Sequence, residues 1–209
     1  MSGRVDHPAP GRVAYVTGFF APDEAAAYLQ ALRDELAWKQ DHVRMGAREI
    51  AMPRLVAWYG DPGAVYRYSG TVNEPLPWTE RLAAIRARIE ADPALRALAG
   101  GSDALRFNSV LANLYRGGSD SMGFHSDDER ELGPAPVIAS ASFGAARTFV
   151  LKPRRRTGDG APDVRIALEG GSLLLMYGDC QRALHHGVPK TAREVGPRIN
   201  LTFRRIFAP

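Results

Sequence analysis

The stretch Arg198-Ile199-Asn200-Leu201-Thr202-Phe203-Arg204 alternates strictly between polar and apolar residues. Side chains along a strand point to opposite faces with period 2, so this run predicts a β-strand with one polar and one apolar face. A polar face turned to solvent would give the same pattern. Two arginines and an amide on one face can instead bind a dicarboxylate, because guanidinium groups pair with carboxylates in a bidentate way. The run therefore predicts a strand and leaves the role of its polar face open.

The same period continues through the second half of the chain. Glycine-rich turn signals separate the short runs, and no helical pattern intervenes, which is typical of an antiparallel sandwich or jelly roll. The candidate strands cover residues 106–115, 136–143, 148–152, 164–168, 172–177 and 198–206.

The first half of the chain has helical patterns instead. Asp23 is predicted to cap an amphipathic helix, and a second helix is predicted to start near Thr79, to be cut at Asp92-Pro93 and to end at Gly100-Gly101. Residues 52–78, rich in glycine, proline and aromatics, predict hairpins and loops. We therefore expect one α+β domain over residues 1–209, with helices and hairpins in 1–104 and a jelly-roll core in 105–209.

Composition and charge limit the class of protein. The 209 residues are 45% hydrophobic and 24% charged, enough to bury a core, and no apolar run reaches the roughly 18 residues of a membrane span. The polar N-terminus and the single Cys180 predict a cytoplasmic protein. The net charge of +4 is compatible with an anionic partner. The basic run Lys152-Pro153-Arg154-Arg155-Arg156 is either a solvated loop or a phosphate contact.

A second run, Gly123-Phe124-His125-Ser126-Asp127-Asp128, carries a candidate metal site. On an extended strand His125 and Asp127 share one face. The pair His185-His186, much further along the chain, can add a second imidazole. Two imidazoles and one carboxylate are the ligands of the facial triad that holds Fe(II) for oxygen chemistry. The spacing leaves open which of the two adjacent histidines completes the triad.

Further motifs surround these residues. They are Pro53-Arg54, Trp58-Tyr-Gly-Asp-Pro-Gly63, Tyr66-Arg-Tyr68-Ser-Gly70, Asn113-Leu-Tyr115, Asp127-Asp-Glu129-Arg-Glu-Leu, Ile138-Ala-Ser-Ala-Ser-Phe-Gly-Ala-Ala-Arg147, Gly170-Gly-Ser-Leu-Leu-Leu-Met176 and His186-Gly-Val-Pro. Together with the triad and the alternating strand, they resemble the AlkB family of Fe(II)/2-oxoglutarate-dependent nucleic-acid dealkylating dioxygenases, most closely its eukaryotic DNA-repair members.

This resemblance implies a double-stranded β-helix (jelly-roll) core and an N-terminal extension of two helices and hairpins that cover the site. It implies that Fe(II) is held by His125, Asp127 and His186, the histidine that precedes Gly-Val-Pro. The residues that match the 2-oxoglutarate site are Asn113, Tyr115, Arg198, Asn200 and Arg204. Arg198 would pair with the distal carboxylate and Arg204 would support the end bound to iron.

The implied reaction uses O2 and 2-oxoglutarate to hydroxylate the N-methyl carbon of a damaged base in DNA, with release of formaldehyde, succinate and CO2. The expected substrates are 1-methyladenine and 3-methylcytosine, which are cationic. The residues that match substrate positions, or that could contact the base or phosphates, are Tyr66, Tyr68, Asp128, Glu129, Arg54, Arg67 and the run 152–156.

Several alternatives remain at this point. The same chemistry could act on RNA, on protein or on a small molecule, or the chain could be a non-catalytic jelly-roll module that keeps a metal site. Members specialised for duplex DNA carry a bulky finger-loop residue, and the corresponding stretch 43–48 offers only Met45 as a wedge. Single- or double-strand preference is therefore open. We expect a monomer with no membrane partner.

Overall fold

In a computed structural model, the protein consists mainly of two facing β-sheets and the helices that flank them. The structure describes residues 4–7, 12–46, 48–68, 71–154 and 162–207. The helices are α1 Pro22–Glu35, α2 Glu80–Ala91, α3 Pro93–Ala99 and α4 Cys180–Ala183. The strands are β1 Arg4–His7, β2 Arg12–Val16, β3 His42–Met45, β4 Arg48–Ala51, β5 Leu55–Gly60, β6 Tyr66–Tyr68, β7 Thr71–Asn73, β8 Ser109–Tyr115, β9 Met122–His125, β10 Ile138–Gly144, β11 Arg147–Pro153, β12 Val164–Leu168, β13 Ser172–Tyr177, β14 Leu184–Val188 and β15 Arg198–Arg204. Within these ranges, no helix is long and apolar enough to cross a bilayer.

The larger sheet has seven strands in the order β1-β2-β13-β10-β15-β8-β5. β15 lies inside it, paired antiparallel with β10 and with β8. Its apolar residues Ile199, Leu201 and Phe203 are fully buried against the helical layer, where they join a core that includes side chains from α1, α2 and α3. Burial of this apolar face fixes the register of the strand, because a shift of one residue would place the polar side chains in that core.

A second sheet, ordered β12-β11-β14-β9, covers the other face of the larger sheet. Side chains from both sheets form a second core, among them Leu174 from β13 and Leu151 from β11. All seven residues of β15 are buried, so its polar face lies between the sheets and the solvent-facing interpretation is wrong. The prediction of an α+β protein with a jelly-roll core is confirmed.

The helical predictions hold with two differences. Thr79 caps α2 by accepting a hydrogen bond from the Leu82 backbone N–H, as expected of an N-cap threonine. The helix beyond Asp92-Pro93 is a separate one, α3, because proline cannot continue the hydrogen-bonded helix. The prediction that Asp23 caps α1 is wrong. Ala21 is the N-cap and Pro22 opens the helix, where its missing N–H costs nothing.

Residues before position 105 also contribute strands to the larger sheet. β2 pairs with β13, and β5 pairs with β8, so the sheet that carries β15 extends into the N-terminal half of the chain. The remaining strands of that half form two separate hairpins, β3 with β4 and β6 with β7. The side chains of Met45, Tyr66, Arg67 and Tyr68 lie outside the described part of the structure, as do Arg155 and Arg156 entirely. The predictions made for them stay predictions.

Candidate active site

Three side chains meet in the space between the two sheets. β14 pairs with β9 so that His186 lies opposite His125, with ring centroids 4.4 Å apart. Asp127 Oδ1 lies 3.7 Å from His125 Nε2, and Asp127 Oδ2 lies 3.7 Å from His186 Nε2. One donor atom from each residue lies within 4.8 Å of the others. β9 ends at His125, so Asp127 reaches the cluster from the segment after the strand and does not share a strand face with His125.

The protonation states suit a cation site. His125 Nδ1 lies 2.9 Å from the Gly123 carbonyl, which can only accept, so the proton is on Nδ1 and the Nε2 lone pair is free for a ligand bond. Burial lowers the pKa of His186 to about 3, only partly offset by Asp127, and this imidazole is therefore neutral. Burial works to raise the pKa of Asp127, but Arg204 and the two histidines outweigh it and the pKa is lowered.

The residues present fit Fe(II). Two neutral imidazoles and one carboxylate are the donor set of non-haem iron oxygenases. Asp127 is buried, yet its Oδ2 atom accepts no hydrogen bond from any described residue. Since buried polar atoms are nearly always satisfied, this oxygen is well suited to bind a metal cation. The other histidine of the pair, His185, lies near the Ser126 hydroxyl and is not part of the cluster.

Arg204 supports the triad from β15. Its Nη2 donates to Asp127 Oδ1 over 2.7 Å, and both side chains are buried. This bond occupies one carboxylate oxygen and leaves the other for a metal. Arg204 thus contacts a candidate ligand residue at the end of β15, whereas Arg198 lies at the opposite end of the same strand.

Arg198 heads a buried polar group at that opposite end. Its Nη2 donates to Ser142 Oγ over 2.9 Å and to Asn200 Oδ1 over 2.6 Å, and its ring neighbour is Tyr115, 5.1 Å from Cζ to ring centroid. Its Nε and Nη1 atoms have no hydrogen-bond acceptor among the described residues. Burial lowers the pKa of Arg198 from its ordinary value, and the neighbouring Tyr115 works in the opposite direction. A fully buried cation with two free donors suits a carboxylate ligand.

Asn113 lies between this group and Arg54. Its Oδ1 accepts from Arg54 Nε over 2.7 Å, while its Nδ2 has no partner among the described atoms and can donate to a ligand. Arg54 is only 5% exposed and also donates to the Ser121 carbonyl. This burial does not suit the phosphate contact predicted for Arg54. The Arg54 guanidinium instead contacts Asn113, a candidate cosubstrate residue, and Arg54 lines the cleft beside the triad.

A cleft that is partly open to solvent leads to the triad. Its lining residues are Lys39, Asp41, Met52, Arg54, Val56, Trp58, Leu111, Met122, His125, Asp127, Glu129 and Arg204. Of the predicted substrate residues, Glu129 and Arg54 are in this lining. Asp128 is not. Its carboxylate pairs with Arg154 at the surface, 2.5 Å away.

The basic run 152–156 is partly paired. Lys152 lies 3.9 Å from Asp163, and its ammonium sits 3.8 Å from the centre of the exposed Phe124 ring. Arg154 takes part in the ion pair with Asp128. The described members of the run therefore already have acidic partners, which weakens its interpretation as a phosphate contact.

Two serines of β10 have roles that the sequence pattern did not indicate. Ser142 binds Arg198, and Ser140 donates to Asn200 Oδ1 over 2.9 Å. Their signal was the alternation Ile-Ala-Ser-Ala-Ser, which puts both hydroxyls on one strand face. Gln181 was also missed. Its side-chain oxygen accepts from the Asp127 backbone N–H and so fixes the segment after β9.

Cys180 lies near the triad but is not a candidate ligand or nucleophile. Burial raises the pKa of this thiol to about 12, with smaller contributions from Asp179 and Asp127. The reactive thiolate is therefore absent at neutral pH. We expect no reaction of the folded protein with a thiol reagent such as DTNB at pH 8, and one thiol per chain after unfolding in guanidinium. Rapid labelling of the folded protein would contradict this.

Known proteins resemble this chain over most of its length. Residues 12–204 match the 2OG-Fe(II) oxygenase superfamily. The protein named alpha-ketoglutarate-dependent dioxygenase alkB homolog 3 from Mus musculus is 42% identical over 205 residues, which are 94% of this chain and 66% of that protein. DNA oxidative demethylase ALKBH2 from Homo sapiens is 36% identical over 95% of this chain and 75% of its own length. The solved structure of OsALKBH1 has a TM-score of 0.64 at 18% identity, covering 96% of this chain, and shares the fold.

Proposed function

We propose that this chain, which belongs to the 2OG-Fe(II) oxygenase superfamily and within it to the AlkB proteins, oxidatively demethylates N-alkylated bases in DNA. The proposed substrates are 1-methyladenine and 3-methylcytosine. The observation that carries the proposal is a His-Asp-His cluster in which Asp127 and His186 are buried and His125 lines a cleft that is partly open to solvent. A relative whose name states DNA oxidative demethylation supports the choice of substrate.

In the proposed reaction, His125, Asp127 and His186 hold Fe(II). Together with 2-oxoglutarate and O2, the bound iron supplies the oxidising power that hydroxylates the methyl carbon, with formaldehyde, succinate and CO2 as products. Arg204 keeps the Asp127 carboxylate ionised and oriented through its 2.7 Å hydrogen bond.

The buried group around Arg198 would bind 2-oxoglutarate. Arg198 Nε and Nη1 are directed to no described acceptor and can take one carboxylate, while Asn113 Nδ2 can donate to another oxygen. Asn200 holds Arg198 in place, since its Oδ1 accepts from Arg198 and its Nδ2 donates to Thr202. In this arrangement Asn200 positions the arginine, and Tyr115 covers it from one side.

The target base would enter the cleft beside His125. An enzyme that acts on a base takes it out of the stack into a pocket, and the base would lie against the His125 ring. Glu129 adds a carboxylate to this cleft, which favours a cationic lesion over a neutral base. Tyr66 and Tyr68 are proposed to stack on the base, from strand β6. A monomeric, cytoplasmic protein with DNA as its partner belongs to the same proposal.

A parallel assay tests the proposal. Purified protein with Fe(II), ascorbate and 2-oxoglutarate is incubated with oligonucleotides that carry 1-methyladenine or 3-methylcytosine as single-stranded DNA, duplex DNA or RNA. We expect formaldehyde and unmodified base from DNA. Turnover only of RNA or of a protein would reject the DNA proposal and keep the chemistry. Failure to form succinate with any substrate would favour a non-catalytic module, against which the buried Arg198 argues.

Glu129 gives a sharper test of lesion choice. We expect Glu129→Gln to lower kcat/KM for 1-methyladenine by roughly tenfold, the size of one lost charge-assisted contact in the transition state. A neutral lesion such as 3-methylthymine should lose less, because the removed charge matters only to a cation. Equal losses on both lesions would remove Glu129 from the recognition of charge.

A further inference from the structure

Arg147, the first residue of β11, donates hydrogen bonds to three backbone carbonyls and, among the described residues, to no carboxylate. Its Nη1 donates to the Gly117 carbonyl over 2.9 Å, and its Nη2 donates to those of Asp120 and Pro189, each over 2.8 Å. The residue is only 4% exposed, and burial lowers the pKa of its guanidinium. The nearby Asp120 carboxylate is bound by Arg116 through its backbone N–H, Nε and Nη2. A cation buried among carbonyls is costly unless its geometry is fixed by them.

The three carbonyls belong to two loops that lead to and from candidate site residues. The first loop, residues 116–121, follows β8 directly after Tyr115 and runs into β9, which ends at His125. The second loop, residues 189–193, follows β14, which carries His186. One guanidinium thus connects the chain segments beside a cosubstrate residue and beside two metal-ligand residues.

The two loops also pack directly against each other at Gly118 and Thr191. The Thr191 backbone N–H donates to the Gly118 carbonyl over 2.9 Å. A Cβ at Gly118 would lie 2.5 Å from the Thr191 carbonyl oxygen and 2.9 Å from that of Arg193, distances that real Cβ atoms do not show. Gly118 therefore permits the contact that Arg147 fastens.

Arg147 also reaches the candidate cosubstrate pocket directly. Its Cζ lies 5.7 Å from the centre of the Tyr115 ring, and Arg198 Cζ lies 5.1 Å from the same centre. Both distances are in the range of cation–π contact. The ring of Tyr115 therefore lies next to both arginines.

We propose that Arg147 is a positioning residue which fastens loops 116–121 and 189–193 and so holds Tyr115 and Arg198 in the geometry that binds 2-oxoglutarate. This inference rests on the cosubstrate assignment of the proposed function. The positioning role requires a guanidinium at residue 147. The planar guanidinium group reaches three carbonyls in fixed directions, whereas a lysine ammonium on a flexible side chain does not.

The test compares two variants that open the same contact in different ways. Arg147→Lys keeps the charge and loses the fork, and Gly118→Ala adds one methyl group between the loops. Arg88→Lys is the control, since Arg88 fastens Phe19 O and Glu24 on the helical side of the fold. For each protein, calorimetry measures the Kd of 2-oxoglutarate with Mn(II) bound and no nucleic acid present, and thermal melting measures stability.

We expect both site variants to raise the Kd of 2-oxoglutarate by about tenfold or more, the size seen when a partner of a ligand residue is lost. The KM for 2-oxoglutarate should rise with it, while kcat at saturating 2-oxoglutarate falls less. Arg88→Lys should leave the Kd unchanged, because Arg88 lies on the helical side of the fold. A wild-type Kd in either folded variant overturns the inference, and Gly118→Ala decides alone if Arg147→Lys does not fold. If the wild-type protein itself does not bind 2-oxoglutarate, the proposed function fails instead.

Discussion

Asp127→Ala is expected to abolish iron binding and oxygenase turnover together. The change removes one of the three proposed ligand side chains and also the carboxylate with which the buried Arg204 pairs over 2.7 Å. We expect the affinity for Fe(II), or for Mn(II) as its stand-in, to fall by more than about 100-fold, beyond the loss typical of a residue that only supports a ligand. Calorimetric titration with Mn(II) and formaldehyde release from methylated DNA measure the two effects.

The neighbouring aspartate is the matched control. Asp128 lies one residue away, but its carboxylate pairs with Arg154 at the surface and not with the histidines. Asp128→Ala should therefore bind Mn(II) as the wild-type protein does. If Asp127→Ala also kept wild-type metal affinity, the assignment of the His-Asp-His cluster as the iron site would be wrong.

Arg198→Met is expected to remove 2-oxoglutarate binding and to leave metal binding intact. Arg198 is fully buried, and its Nε and Nη1 atoms have no hydrogen-bond acceptor among the described residues. Both donors are therefore available to a bound ligand. We expect the Kd of 2-oxoglutarate to rise by more than about 100-fold, or roughly 2.7 kcal/mol, the order expected for a charge-assisted bidentate contact.

One further variant separates the charge of Arg198 from its shape, and a second one, at another position, is the control. Arg198→Lys should be intermediate, because a lysine keeps the charge and loses the planar fork. Arg165→Met changes an exposed arginine of β12 and should bind 2-oxoglutarate normally. Unchanged 2-oxoglutarate affinity in Arg198→Met would show that this cation has a structural role only.

Much of the jelly-roll core was predictable because turn signals separate its short strands. The runs 164–168 and 172–177 match β12 and β13 to the residue, since turn signals bound them on both sides. On β15 the alternation predicted one polar and one apolar face, but not that the polar face is buried as well. That depended on the second sheet, whose β14 and β9 are short and contain glycine, and neither was among the predicted strands.

Long-range packing determines most of the contacts that the sequence pattern did not predict. The burial of Arg54 depends on contacts with Asn113 and Ser121, which are far away in the chain, so its charge alone indicated a surface role. The contacts of Arg147 could not be predicted from the sequence either, because its partners are backbone carbonyls, which every residue has. Where a residue type itself carries the chemistry, as in the His-Asp-His cluster, the pattern was informative and the structure brings the three side chains together.

The positions of the strands predict how the site comes apart. β15, which carries Arg198 and Asn200, is hydrogen-bonded on both sides within seven strands, whereas β9, which carries His125, is the last strand of the four-stranded sheet. Amide protons of a strand flanked on both sides exchange only through near-global opening, and those of an end strand exchange through local fraying. On mild heating, His125 should therefore leave the metal while the pocket around Arg198 is still folded. Inactivation at such temperatures would then be reversible by cooling with added iron.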